Sequence, residues 1–172
     1  MMKAEDLWKE LSYLFKTCDD SLSEIRLTNL SSDGVAAIFS YLQHSCRRIS
    51  NESTFWNIEA QKSETITSVP NAAALVVEGC AEAFHCLCQG PTHKQIVIPD
   101  LGVFVFDDQI NLDYRMGEEW DATKLEALFG ILREVKRIDP ACKVTIGDYA
   151  LRRVRLHFEA TWERFLQATT AI

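Results

Sequence analysis

No apolar run in this 172-residue sequence approaches the roughly 20 residues that a membrane-spanning helix needs. The opening residues, MMKAEDLWKE, carry charges where a secretion signal needs an apolar stretch. The sequence therefore predicts a cytoplasmic chain with no membrane partner. Positive charge is in deficit: 18 Lys and Arg stand against 25 Asp and Glu, a formal net charge of −7. Phosphate backbones are bound by clustered cations, which argues against nucleic acid and for a basic partner attracted at long range. A Cys-x-x-Cys pair, a glycine-rich loop and a recognisable nucleophile motif are all missing, so nothing here specifies redox, nucleotide or acyl-transfer chemistry. Repeats, linkers and low-complexity segments are missing too. One globular domain over residues 1–172 accounts for the length.

Six cysteines are present, at 18, 46, 80, 86, 88 and 142. In an intracellular protein such scattered cysteines are expected as free thiols. Apolar periodicity predicts helices over 4–16, from the SSDG cap to about 49, from 71 to 89, from 121 or 123 to 138, and from Asp148 to about 168. The break after the first helix is TCDDS. Alternation predicts a strand near 24–30, a hairpin within 54–69, and a short strand at 143–146. The strongest β signal is LGVFVF, a turn at Asp107-Asp108-Gln109, and INLDYR. Its first strand is apolar on both faces, which places it centrally. The expected fold is α+β, an antiparallel sheet packed by about five helices.

Two stretches concentrate chemistry. In GCAEAFHCLCQGPTH, residues 79–93, three cysteines and two histidines lie close together. On the predicted helix, Cys80 and Cys88 turn inward while His85 and Cys86 point elsewhere. Paired zinc ligands need a tighter knuckle than this spacing offers. No metal and no cofactor is expected; the one arrangement left for a metal is His85, Cys88 and His93 at a frayed helix end. In DLGVFVFDDQINLDYRMGEEWD, residues 100–121, seven carboxylates face a single base, Arg115. Tyr114, Met116 and Trp120 lie among the acids, and aromatics with local charge are a common composition at interface hot spots. The candidate partner-binding residues are Asp107, Asp108, Asp113, Arg115, Glu118, Glu119, Trp120 and Asp121. Turn chemistry and helix capping account for several of them equally well, and Trp120 suits a staple to the following helix. Asp113 sits in a strand shaped for burial and needs a partner there, for which Arg115, Arg152, Arg153 or Arg155 are candidates. Asp113 with Glu118 or Glu119 would also serve as an acid–base pair.

The run IPDLGVFVFDDQINLDYRMGEEWDATKLEALFGILREV, residues 98–135, resembles small bacterial immunity proteins. The resemblance implies a non-enzymatic inhibitor that binds and neutralises a cognate bacterial toxin, such as a basic nuclease domain. It transfers no functional residue. The alternatives are a small hydrolase, carboxylate-based or metal-assisted, and a regulatory or assembly subunit.

Overall fold

The structure is a computed structural model that describes residues 2–17, 22–147 and 150–170. The TCDDS break, apart from Thr17, and Asp148 lie outside the described residues. Helix α1 (Ala4–Leu11) buries Leu7 and Leu11 and passes into a short 3-10 turn at Ser12–Leu14. Strand β1 (Leu22–Thr28) leads to α2 (Ser32–Ser45), whose N-cap Ser31 accepts a hydrogen bond from Gly34 N. Strand β2 (Arg48–Ile49) and the hairpin β3 (Thr54–Asn57) and β4 (Lys62–Thr65) follow. Helix α3 (Ala72–Val77) precedes β5 (Phe84–Gln89) and a small hairpin, β6 (Thr92–His93) and β7 (Ile96–Val97). Then come β8 (Leu101–Val105), β9 (Ile110–Arg115), α4 (Ala122–Ile138), β10 (Lys143–Ile146) and α5 (Arg152–Thr170).

Six strands form one antiparallel sheet in the order β10-β1-β9-β8-β5-β2. With the five helices among the described residues this is the expected single α+β domain, and β8 is interior to the sheet as its doubly apolar sequence requires. One face carries Ile25, Leu27, Cys86, Cys88, Val103, Val105, Leu112 and Tyr114, all buried in a common core with α1, α2 and α4. Helix α5 adds Phe158, Trp162 and Phe165, whose rings cluster on Phe129 of α4.

The expected helix over 71–89 is corrected. It ends at Val77, where Gly79 adopts φ +74° and two hydrogen bonds, Gly79 N to Val76 O and Cys80 N to Leu75 O, close a Schellman stop. Residues 84–89 are a strand, so side chains alternate. Cys86 and Cys88 therefore share the buried face, His85 points out, and Cys80 is partly exposed. The expectation that all cysteines are free is corrected as well. Cys46, the C-cap of α2, is joined to Cys88 of β5 by a disulfide with Cα atoms 5.7 Å apart, within the usual span for that bond.

Candidate interaction surface on the open sheet face

The second face of the sheet stays partly open to solvent. Strand registers set its residues in rows. One row runs His85, Phe104, Asn111, Arg26, Thr145; the next runs Leu87, Gly102, Asp113, Glu24. At its centre His85 Nε2 and Asp113 Oδ1 are 2.8 Å apart. The two residues lie on strands separated by β8, a gap of roughly 10 Å. The short aspartate crosses it because β8 presents Gly102 beneath it: a Cβ there would fall 2.2 Å from Asp113 Oδ1. The hydrogen bond that His85 donates to the Asp113 carboxylate keeps the imidazole protonated to higher pH than an ordinary histidine, although burial acts the other way. The partner of Asp113 is thus a histidine from β5 and none of the arginines expected. Beside this pair Arg26 donates to Glu24, and Phe104 lies edge-on to Phe106 at 4.4 Å.

Two clefts meet at Asp113 and Leu22. One of about 680 Å³ is bordered by Asp100, Arg115, Glu119 and Lys124. The other, of about 860 Å³, is walled by Tyr13, Leu14, Glu24, His85, Phe104 and Val154. Asp113 and Glu119 share the first cleft, whereas Glu118 does not line it. Burial pushes the thiols of Cys86 and Cys142 up to about 12, so neither offers a thiolate near neutral pH.

The carboxylates adjacent in sequence do not form one patch. Asp107 and Asp108 are exposed at the β8–β9 turn, while Glu118 and Glu119 are exposed past the far end of β9. The six residues of β9 set the two groups roughly 20 Å apart. Arg115 is exposed at that far end. Asp121 caps α4, accepting from Lys124 N at 2.8 Å, with Lys124 Nζ 3.7 Å from its carboxylate. Trp120 is corrected as a surface contact. It is 3% exposed, packs on Phe15 and Tyr114, and donates to Arg115 O at 2.8 Å.

The Asp107 end gains acids from elsewhere in the chain. Phe84 pairs with Val105, so the same register carries Glu82 to the end occupied by Asp107. Glu82 N donates to Trp56 O, and Ile58 N to Cys80 O, which brings in Glu78 and Glu59. Glu59, Glu78, Glu82, Asp107 and Asp108 are all exposed.

The metal arrangement of His85, Cys88 and His93 does not assemble. His85 is on the open face, Cys88 is in the disulfide, and the His93 ring lies over Gly130 of α4. Among the described residues no cluster of three or more His, Cys, Asp or Glu side chains is placed to hold a metal. No helix among them is long and apolar enough to cross a membrane. No protein-family model matches this chain, and no curated protein or solved structure is significantly similar to it.

Proposed function

We propose that this chain is an immunity protein, a non-enzymatic inhibitor that neutralises a cognate bacterial toxin by binding it. The binding surface is the acidic end of the sheet together with the open face that leads to Asp113. The observation that carries the reading is the convergence of Glu59, Glu78, Glu82, Asp107 and Asp108 from three separate segments at the rim of a stiff, half-apolar sheet. Such a field steers a basic partner into encounter, and the adjacent apolar side chains hold it. A nuclease domain, whose substrate is polyanionic, has the complementary charge. The direct test is growth: the chain, co-expressed with a toxin encoded immediately beside its gene, restores growth, and the Asp107→Lys/Asp108→Lys/Glu82→Lys variant restores it poorly. Full rescue by that variant would remove the acidic end from the reading.

The site of action bears on Cys46 and Cys88. An inhibitor acting in a reducing cytoplasm carries this pair as thiols, whereas an oxidising compartment keeps the disulfide. Alkylation of the protein in intact cells therefore reports the compartment.

One observation favours an enzyme instead: the His85–Asp113 pair at the meeting point of two clefts. An imidazole oriented by a carboxylate is the usual form of a general base. Hydrolysis of any member of an ester and phosphodiester panel by the wild type, lost in His85→Ala, would establish that alternative.

A further inference from the structure

The β3–β4 hairpin stands apart from the six-stranded sheet as a two-stranded unit of its own. Alternation splits its side chains. Phe55 is 2% exposed and wedges against Phe84, whereas Trp56 and Ile58 on the outward side are each 40% exposed. The other tryptophans behave differently: Trp120 and Trp162 are buried and Trp8 packs on the core. The outward residues are not on a loose loop. Glu82 N donates to Trp56 O at 3.1 Å, Ile58 N to Cys80 O at 2.8 Å, and Asn57 bridges to Ala81. An indole and a sec-butyl group are therefore held in water on a backbone tied to the body by this pair of hydrogen bonds. Trp is enriched among interface hot spots, and on a pinned backbone little freedom is lost on burial.

The charge around this anchor selects its partner. Glu59, Glu78 and Glu82 flank it, with Asp107 and Asp108 beyond. Within the hairpin the one base is Lys62, which is 3.0 Å from Glu64. A nucleic acid and an anionic membrane would bring like charge to the spot, and a second copy of this chain carries the same net charge of −7. We propose that the β3–β4 hairpin is the anchor of the inhibitor's interface: Trp56 and Ile58 enter an apolar recess on a basic protein, and its Lys or Arg rim meets Glu59, Glu78 and Glu82. This rests on the inhibitor reading above and names the partner's chemistry.

The test is the dissociation constant for the catalytically inactivated toxin domain encoded beside this gene. Trp56→Ala/Ile58→Ala is expected to weaken binding by roughly 30-fold or more, with an unchanged thermal midpoint. Glu59→Lys/Glu78→Lys is expected to slow association and reduce its dependence on salt. Wild-type affinity in the first variant overturns the anchor, and continued weakening by Asp107→Lys/Asp108→Lys would then leave the inhibitor reading standing. Should the truncated hairpin fail to fold, an unchanged association rate in the lysine variant overturns it instead. A wild-type protein that does not bind overturns both readings.

Discussion

Gly102 shows how one missing side chain organises the open face. It lets Asp113 cross over β8 to reach His85, and any Cβ would meet that carboxylate at 2.2 Å. Gly102→Ala is expected to separate the pair and to cost about 1–3 kcal/mol, the usual range for overpacking. An NMR titration should show the His85 pKa, raised in the wild type by Asp113, dropping in Gly102→Ala and in Asp113→Asn alike. A wild-type His85 at its ordinary value would refute the pairing. The sign of the pH dependence follows. A raised histidine stabilises fully below its unfolded pKa, near 6.5, and that share fades as pH rises through the folded value. The stability gap between wild type and Asp113→Asn should therefore narrow toward alkaline pH. Because the His85 side chain is 48% exposed, the whole effect is expected below about 1 kcal/mol.

At the scale of elements, two ties hold the helices to each other and to the sheet. Asp139, at the C-cap of α4, accepts from Ser31 N at 3.0 Å and Ser31 Oγ at 2.9 Å, so the end of α4 is fastened to the start of α2. Burial works against its charge, but the hydrogen bonds from Ser31, Ala141 and Cys142 prevail and keep the carboxyl below its ordinary value. A depressed carboxyl stabilises above its unfolded pKa and loses that share as pH falls through the folded one. Asp139→Ala is expected to cost about 1–3 kcal/mol at neutral pH and less in acid, as urea denaturation at pH 7 and pH 3 would reveal. The second tie is the Cys46–Cys88 disulfide, closing a separation of 42 residues. Reduction is expected to lower stability by roughly 2–4 kcal/mol. Alkylation of unfolded, unreduced protein should label Cys80 and spare Cys46 and Cys88.

These elements also mark where the sequence was readable. The β8–β9 turn, the Asp121 cap and the core stripe of α4 were legible because local chemistry and tertiary packing agree there. β5 was not. The alanine-rich run after Asn71 has helical composition, and its apolar residues happen to continue one helical face through Cys88. Gly79 was the local signal for a stop, and the alternation of Phe84, Cys86 and Cys88 was the signal for a strand. A helix there would set Cys86 and Cys88 on different faces, whereas the strand sets both inward and turns His85 toward Asp113. The contribution of Glu59, Glu78 and Glu82 to the Asp107 end was not legible at all, because it depends on which strands are neighbours.

For the molecule as a whole, the net charge of −7 acquires a direction. Part of the acid is spent on caps and ion pairs, as at Asp121, Asp139 and Glu10, whose carboxylate is bound by Arg164 and Thr161. Of the exposed remainder, Glu59, Glu78, Glu82, Asp107 and Asp108 gather beside Trp56 and Ile58 at one end of a half-open sheet, while Glu118 and Glu119 stand at the other. Association driven by such a field should slow steeply between low and physiological salt, whereas dissociation, set by the apolar anchor, should change little. The most direct measurement is therefore the binding of the neighbour-encoded, inactivated toxin domain, by calorimetry or surface-based kinetics, to wild type and to Glu82→Lys/Asp107→Lys/Asp108→Lys. The account predicts a tight one-to-one complex for the wild type, weakened roughly 10- to 100-fold by the reversal. No complex with the wild type, or equal affinity for both proteins, would contradict it.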